Sequence, residues 1–394
     1  MRMVYSEIYK NALFNDIIPF WEKHSLDNNN GGYFTCLDRN GDVYDTDKFV
    51  WLQGRQAWTF SMLYNNVDRK DNWLKTAKLG IDFIRKYGMD KDGNFYFSLT
   101  KSGKPLVQPY NIFSDCFAAM AFSQYAKATG DQEIKSLAKQ TYFNIINKKE
   151  NPKGVYEKST DYRPLKGFAL PMILSNLVLE LEDVLDSKEV EKTINYSVKE
   201  VMEVFYQKDS GIIYEFVTPD GTIEDSFNGR LLNPGHGIEA MWFMIDIGVR
   251  SKNEDLIKKA TKVILNILEY SWDEQYAGIF YFMDAKGKPM QQLEWDQKLW
   301  WVHLETLVAL LKAYEHTQNE EVWKWFLKVH RYSWSHFPDP ENGEWFGYLN
   351  RQGKPLNSLK GGKWKGCFHV PRAMYQCWKS LEQIECIQSS KKVK

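Results

Sequence analysis

The sequence predicts an all-α protein, an (α/α)6 toroid built of six helical hairpins with short β-hairpin loops at one end. Two observations predict this fold: a Gly-plus-aromatic signature recurs six times, and two kinds of helix alternate between its copies. Fixed-period repeats are typical of proteins that assemble one structural unit many times. Because no Pro-, Gly- or Ser-rich linker divides the chain, we expect a single domain over residues 1–394, with a disordered tail after about residue 385.

The repeat is marked by a glycine that precedes a short aromatic or β-branched run and a polar tip such as DRNG, TPDG or NRQG. Such a run followed by a turn sequence predicts a short β-hairpin. Taking one glycine per copy, the spacings are 61, 61, 57, 67 and 65 residues, which is too regular for chance. The six marker glycines are Gly32, Gly93, Gly154, Gly211, Gly278 and Gly343.

Between the loops, apolar helices alternate with amphipathic ones. Segment 301–314 is apolar nearly all round, as a helix buried on both sides must be, whereas segment 255–270 has one apolar face and one lysine-rich face. Inner helices are predicted near 51–66, 112–127, 168–183, 235–250, 301–314 and 367–383. Outer helices are predicted near 4–24, 71–87, 132–148, 188–206, 253–270 and 320–335. Six pairs favour a closed ring, because open solenoids have shorter units of ~34–47 residues.

Composition excludes several classes of function. Lys+Arg and Asp+Glu both total 51, so no basic field favours nucleic acid or an anionic membrane. No apolar run approaches the ~18 residues of a membrane span, and the N-terminus lacks a signal-peptide core. Five cysteines without a CxxC pair predict a reduced, cytoplasmic protein. The 15% aromatic content fits either a large aromatic core or a sugar-binding site.

Polar residues recur at equivalent places in the repeat. Each loop leads to the start of an inner helix, so the six helix entrances should converge at one end of the toroid. Counted from the marker glycines, the polar positions are Arg55 at +23, Asp115 at +22, His236 at +25, His303 at +25 and His369 at +26. A buried ring of such side chains has to be hydrogen-bonded or functional. We therefore expect a polar site at the helix entrances.

Each of these residues also has a structural interpretation. A single histidine in an apolar helix is more often a core residue than a catalyst, but three of the seven histidines share this phase of the repeat. Asp115 can cap its helix, and Arg55 can serve as an ion-pair partner. Trp301 and its neighbour Trp300 can be core residues rather than ligand-stacking ones.

Other chemistries fit the sequence less well. GxSxG, the phosphate-binding GxxxxGK[ST] loop and HExxH are absent. The three histidines and a carboxylate could hold a divalent metal, but nothing in their spacing demands one, and we expect no metal site. Paired carboxylates drawn from Glu239, Glu305 and Asp115 could hydrolyse a glycosidic bond, which is the main chemical rival.

Three stretches, GRLLNPGHGIEAMWF, KLWWVHLETL and WKGCFHVPRAMYQCW, resemble the N-acylglucosamine 2-epimerase family, and WLQGRQAWTF extends the resemblance to the first repeat. The family fold is an (α/α)6 barrel, in agreement with the repeat count. The resemblance implies C2 epimerisation of an open-chain sugar, with His236 and His369 as the acid/base pair. We expect the catalytic residues to be His236, His369, Glu305 and Arg55. We expect the substrate-binding residues to be Glu239, His303, Trp364, Trp301 and Asp115.

The chemistry of C2 epimerisation suits such a site. The C2 hydrogen is acidic because it is α to the C1 aldehyde, and its removal produces an enediolate-like intermediate. Inversion is simplest with one base on each face. A histidine near a helix N-terminus tends to stay neutral, because the positive end of the helix dipole disfavours imidazolium. Arg55 could offset the charge that develops on O1.

The third inner helix departs from the pattern of the cellobiose-epimerase branch, and this departure indicates the substrate. Cellobiose 2-epimerases and the related aldose–ketose isomerases carry a further histidine on the third inner helix, whereas residues 165–177, LKGFALPMILSNL, contain none. This pattern resembles the N-acyl branch and favours interconversion of N-acetyl-D-glucosamine and N-acetyl-D-mannosamine. The alternatives are a cellobiose 2-epimerase, an aldose–ketose isomerase, or a toroid that binds a sugar or protein without chemistry. The resemblance implies a homodimer that requires no cofactor, with ATP as a candidate allosteric activator.

Overall fold

The computed structural model describes residues 5–157 and 160–392. Helices dominate it, and two π-helical turns, Leu13–Ile17 and Glu200–Phe205, continue helices of the outer ring. The helices are α1 Tyr5–Ala12, α2 Ile18–His24, α3 Val50–Asn66, α4 Asp71–Tyr87, α5 Phe113–Thr129, α6 Gln132–Lys148, α7 Ala169–Glu180, α8 Ser187–Lys199, α9 Pro234–Ser251, α10 Glu254–Ser271, α11 Trp300–Thr317, α12 Glu320–His336 and α13 His369–Lys392.

The inner helices form a closed ring. Helices α3, α5, α7, α9, α11 and α13 pack against one another in that order. The ring closes between α13 and α3, where the Trp58 and Phe368 rings lie 5.2 Å apart and the Thr59 hydroxyl donates to the Cys367 carbonyl at 2.8 Å. The predicted (α/α)6 toroid is confirmed.

The outer ring is completed by the N-terminal segment. Helix α1 packs against α13, and it meets α12 through a 2.8 Å hydrogen bond between Tyr9 Oη and His330 Nδ1. On the other side Phe14 stacks on Trp73 of α4, with ring centroids 6.1 Å apart. The first helix of the chain therefore lies between the second and the last outer helices, which removes any open end.

Burial follows the predicted division into inner and outer helices. In α11 the buried positions extend round the whole circumference. In α10 the predicted apolar face is buried as a stripe, and it consists of Leu256, Ala260, Val263, Ile264, Ile267 and Leu268. Three helix ends differ from expectation by three residues or more: α7 ends at Glu180, α11 ends at Thr317, and α13 continues to Lys392, where we expected a disordered tail after about 385.

Some of the short strands form the local hairpins that the sequence predicts, and others pair between consecutive units. Isolated antiparallel bridges, such as Leu37–Val43, Met89–Phe95 and Leu349–Pro355, close several loops locally. Among the named strands of the described residues, β2 Ser98–Leu99 with β3 Pro105–Val107, and β5 Tyr206–Gln207 with β6 Ile212–Ile213, are also local pairs. The other antiparallel pairs join consecutive units: β1 Lys48–Phe49 with β2, β4 Lys166–Gly167 with β7 Phe216–Val217, β8 Leu231–Leu232 with β9 Met283–Asp284, and β10 Lys298–Leu299 with β11 Tyr348–Leu349. Because consecutive inner helices are neighbours, the strand entering one lies beside the loop of the next.

The marker glycines share one backbone conformation. All six have a positive φ, between 54° at Gly154 and 79° at Gly93. Side chains rarely adopt this region because Cβ clashes with the backbone, whereas glycine adopts it freely. The repeat signature therefore marks the residue at which each loop reverses direction. Within the part of the chain that the structure describes, no helix combines the length and hydropathy needed to cross a bilayer.

Candidate active site

A cavity of about 530 Å³ opens at the end of the toroid where the inner helices begin. Every inner helix contributes to its wall with residues from its first turns, so the predicted convergence of the six entrances is present. From the inner helices the lining residues are Trp51, Arg55, Phe113, Phe117, Ala169, Met172, Ile173, His236, Glu239, Trp300, Trp301 and His369.

The local sequence before His236 positions it at the cavity. Pro234 occupies the first turn of α9, and the Asn233 side chain accepts a hydrogen bond from the His236 backbone N–H at 3.2 Å. A Cβ at Gly235 would lie 2.6 Å from Cη2 of Trp301, so only glycine permits this contact. Asn233 thus caps the helix, and the PGHG stretch brings its entrance against Trp301.

His236 is held by a carboxylate from an adjacent loop. Its Nδ1 lies 3.1 Å from both carboxylate oxygens of Glu215, and 28% of its side chain is exposed. Burial lowers its pKa, but the charges of Glu215 and Glu239 and the hydrogen bond outweigh burial and raise the pKa overall. The ring therefore favours the imidazolium form, with Nε2–H left to donate to a ligand.

His369, the first residue of α13, has the opposite preference. Its Nδ1 donates to Glu305 at 2.7 Å, and only 10% of its side chain is exposed. Burial lowers its pKa well below the usual value, and the nearby cations Arg55 and Arg372 lower it further. The neutral ring carries its proton on Nδ1, which leaves a lone pair on Nε2 as a base.

Trp301 contacts both histidines. Its ring centroid is 5.3 Å from that of His236 and 5.9 Å from that of His369. All three residues line the cavity, so the two imidazoles lie against the same indole in its wall.

Arg55 contributes a buried cation that aromatic rings surround. Its guanidinium carbon lies 4.0, 4.4 and 4.8 Å from the ring centroids of Phe117, Trp51 and Phe368, and its Nε has no hydrogen-bond partner among the described residues. Burial lowers its pKa to about 9, which keeps it charged at neutral pH. A buried guanidinium held by aromatic faces favours a negatively charged oxygen as its partner.

Arg372 balances the two buried carboxylates beneath the cavity. Its Nη2 donates to Glu239 at 2.6 Å and to Glu305 at 2.7 Å, while Trp242 Nε1 donates to Glu305 at 2.9 Å. Ligand atoms of Glu239, Glu305 and His369 also lie within 4.8 Å of one another, the one such cluster in the described ranges. Since the guanidinium bonds both carboxylates, the positive charge that a metal would supply there is already present.

His303 does not contact the cavity, which corrects the expectation that it binds substrate. Its Nδ1 donates to the Leu299 carbonyl at 2.8 Å, and its Nε2 accepts from the Ile279 N–H at 3.1 Å. The ring is fully buried and stacks on Tyr332, and burial lowers its pKa to about 3. His303 is therefore a neutral structural residue.

The failure for His303 follows from helix rotation. Counting from the marker glycines includes loops of unequal length, so equal counts do not give equal positions within the helices. In α11 the residue that contacts His236 and His369 is Trp301, and His303 follows it by two residues. Two residues rotate a side chain by about 200° around the helix axis, which turns His303 away from the cavity.

Asp115 also lies outside the cavity. It is buried against α6, where it pairs with Lys148 at 3.1 Å, and burial raises its pKa to about 6. Glu305 is fully buried behind His369, so Glu239 is the only one of the three proposed glycosidase carboxylates that lines the cavity. Trp364 does line it, half-exposed at the mouth with its ring 5.4 Å from Trp51.

Several residues of the site were not predicted from the sequence, among them Glu215, Arg372, Tyr281 and Tyr348. Glu215 belongs to the fourth copy of the repeat, in GIIYEFV, and Arg372 follows His369 by three residues on the same helix. The spacing of Arg372 from His369 was a readable signal, because residues three apart share a helix face. Tyr281 and Tyr348 carry hydroxyls at the cavity wall, but nothing local in the sequence distinguishes them from core tyrosines.

An (α/α)6 toroid whose aromatic-walled polar cavity brings two histidines and a buried arginine together is an arrangement suited to proton-transfer chemistry. The particular family follows from the sequence: a family model for N-acylglucosamine 2-epimerase (GlcNAc 2-epimerase) matches residues 32–373, and the chain belongs to this family.

Comparisons with individual proteins agree with this assignment. The chain is 38% identical to the N-acylglucosamine 2-epimerase of Mus musculus, over 92% of this chain and 88% of that protein. It is 28% identical to a cellobiose 2-epimerase of Dictyoglomus turgidum, over 98% of this chain and 100% of that protein. A crystal structure of a D-mannose isomerase shares the fold with a TM-score of 0.85 at 18% identity, covering 96% of this chain and 99% of that one.

Proposed function

We propose that the protein interconverts N-acetyl-D-glucosamine and N-acetyl-D-mannosamine by inverting C2 of the open-chain sugar. The observation that carries the proposal is that His236 and His369 both lie against Trp301 in the cavity and have pKa values shifted in opposite directions. Environments that drive two titratable groups apart are typical of an acid and a base acting as a pair. The 38% identity to the mouse enzyme supports the choice of substrate.

The surroundings of the two histidines suit one proton shared by the pair. The charges of Glu215 and Glu239 raise the pKa of His236, whereas burial and the charges of Arg55 and Arg372 lower the pKa of His369. We therefore assign the form with a charged His236 and a neutral His369 as the resting state of the pair.

From this state the reaction needs two proton transfers. The lone pair on His369 Nε2 takes the C2 proton, the C–H electrons form a C1=C2 double bond, and O1 becomes an oxyanion that Arg55 stabilises. His236 Nε2–H then donates to the opposite face of C2, and the C1 carbonyl re-forms. The configuration at C2 is inverted, and the proton has moved from one histidine to the other.

The carboxylates assist without touching the carbon. Glu215 and Glu305 each hold the Nδ1 of one histidine, which fixes the ring orientation and leaves Nε2 for the substrate. The hydroxyls of Tyr281 and Tyr348 line the cavity and can hydrogen-bond to sugar hydroxyls. The aromatic walls suit the C–H faces of the sugar chain.

Proton exchange at C2 is the direct test. The purified protein is incubated with N-acetylmannosamine in D2O, with and without ATP, and the C2 signal is followed by proton NMR. We expect deuterium at C2 of both epimers and conversion towards N-acetylglucosamine. The absence of exchange under both conditions, from protein that is folded by circular dichroism, contradicts the proposal.

A panel of sugars distinguishes the alternatives. Cellobiose, mannose, glucose and the N-acetylhexosamines are compared by kcat/KM. Preference for cellobiose indicates a cellobiose 2-epimerase, and formation of a ketose from mannose indicates an aldose–ketose isomerase. Thermal stabilisation by N-acetyl sugars without any product indicates a binding protein.

We further propose that the protein acts as a homodimer in the cytoplasm. Cys36, Cys116, Cys367 and Cys377 are buried thiols, which supports a reducing compartment. The resemblance to the family supports the dimer. Sedimentation equilibrium of the purified chain tests the oligomeric state, and a mass of one chain at micromolar concentration contradicts it.

A further inference from the structure

One wall of the cavity is aliphatic. Helix α7 presents Ala169, Met172 and Ile173, which are its first, fourth and fifth residues and therefore share one face. The side chains that α7 places at the cavity carry no polar hydrogen-bonding group. The other inner helices line the cavity with charged, imidazole or aromatic side chains.

A hexosamine offers few groups that suit such a wall. Its hydroxyls lose their hydrogen bonds with water when they are pressed against an aliphatic surface, which is unfavourable. The indole and phenyl rings elsewhere in the cavity can pack against its C–H faces. The methyl of an N-acyl group is the one aliphatic substituent that the substrate carries.

The position of the wall fits a substituent on C2. Helix α7 packs directly against α9, the helix that carries His236. The acyl nitrogen is bonded to the carbon that reacts beside His236, so the acyl group can extend from there towards the neighbouring helix. The wall therefore lies on the side of the cavity that a C2 substituent reaches.

A hydrogen-bond donor lines the same cavity. Asn111 lies in the loop before α5, the helix that packs against α7, and its Oδ1 accepts from the Phe113 N–H at 2.9 Å. This bond fixes the amide orientation and leaves the two Nδ2–H donors, which have no partner in residues 5–157 and 160–392. A donor and an aliphatic surface in one cavity match an amide, whose carbonyl accepts a hydrogen bond and whose methyl needs apolar contact.

We propose that Ala169, Met172 and Ile173, together with the Asn111 amide, form the pocket that receives the N-acyl group of the substrate. This inference rests on the proposed function and goes beyond it, because it assigns the selection of acylated over free sugars to specific side chains. The length of acyl chain that the enzyme accepts is then set by the depth of the pocket at Met172 and Ile173.

A series of acyl lengths tests the pocket. N-formyl-, N-acetyl-, N-propanoyl- and N-butanoylmannosamine are compared by kcat/KM in the wild type, Met172→Ala and Ile173→Val. We expect the ratio of propanoyl to acetyl activity to rise at least about fourfold in Met172→Ala, since each buried methylene contributes roughly that factor. Ile173→Val removes one methyl at little risk to folding, and we expect a smaller rise in the same direction.

Leu299→Ala is the matched control, because Leu299 is an aliphatic residue of the same cavity that lies beside Trp300 rather than on α7. We expect its ratio of propanoyl to acetyl activity to equal that of the wild type. If epimerase activity is retained but the ratio of propanoyl to acetyl activity is unchanged in both wall variants, the pocket assignment is wrong and the proposed function still stands. No wild-type activity on any N-acyl sugar overturns the proposed function and the pocket together.

Discussion

The surroundings of His236 and His369 differ although the two contacts have the same form. In each, Nδ1 faces a glutamate, at 3.1 Å from Glu215 and at 2.7 Å from Glu305. The shorter contact belongs to the histidine whose pKa is lowered, and the longer contact to the one whose pKa is raised. A hydrogen bond to a carboxylate is therefore not sufficient to predict the protonation of a histidine.

The difference lies in the cations around each pair. Glu305 shares its charge with Arg372, and Arg55 also lies near His369, so burial and two positive charges disfavour the imidazolium. Among the charged groups that shift the pKa of His236, Glu215 and Glu239 are both negative. The charges of the neighbours therefore distinguish the two rings, and the two pKa values shift in opposite directions.

Removing either histidine leaves only one imidazole at the cavity. We expect His236→Ala and His369→Ala each to lower kcat by about 10²–10⁴-fold, because each ring supplies one of the two proton transfers. With one base left, exchange of the C2 proton with solvent can persist in one epimer while inversion is lost. Proton NMR in D2O, started from each epimer separately, measures both. Retention of full epimerisation in both variants rules out the two-base mechanism.

Removing Arg372 should reverse the preference of His369. In Arg372→Met the charge on Glu305 is no longer offset, so the pKa of His369 rises. Since His369 acts as a neutral base, activity is lost as pH falls through its pKa, and the acidic limb of the kcat/KM profile moves to higher pH. We expect a loss of about 100-fold near neutral pH, together with a lower Tm, because a buried ion pair is broken.

The double variant Arg372→Met/Glu239→Gln is the control, since it removes one positive and one negative charge together. We expect it to recover part of the Tm that Arg372→Met loses. An acidic limb that stays at the wild-type pH in folded Arg372→Met shows that Arg372 does not hold His369 neutral.

Glu215→Gln tests the other half of the comparison. The neutral amide removes the charge that raises the pKa of His236, so the pKa falls. His236 acts as the charged donor, and activity is lost as pH rises through its pKa. The basic limb should therefore move to lower pH, with a loss of about tenfold at neutral pH from weaker acid catalysis. A shift of this limb to higher pH is the result that contradicts the assignment.

His303→Asn should have the smallest effect on catalysis. His303 does not line the cavity, and we expect kcat/KM to stay within about twofold of the wild type. Its two buried hydrogen bonds are disturbed, so the free energy of unfolding should fall by about 1–3 kcal/mol, measured by urea denaturation. A loss of kcat comparable with that of His369→Ala would restore the interpretation of His303 as a site residue.

The sequence by itself determined the architecture of this protein. Six glycines at near-constant spacing mark six positive-φ turns, and the alternation of apolar with amphipathic segments separates inner from outer helices. These features are local, because a turn requires a glycine where it occurs and a helix shows its buried face within a few residues. The convergence of the inner-helix entrances, with Arg55, His236 and His369 at the cavity, followed from the same repeat.

The tertiary structure alone decided how the site is charged. Glu215 meets His236 across 21 residues, and Glu305 meets His369 across 64, through loops and helices whose separation in sequence carries no sign of contact. It also decided that His303 turns away from the cavity, since it follows the cavity residue Trp301 by two residues, about 200° around the helix axis. Repeat spacing predicts the level of a residue along the toroid, whereas rotation and neighbouring charge are properties of the packed molecule.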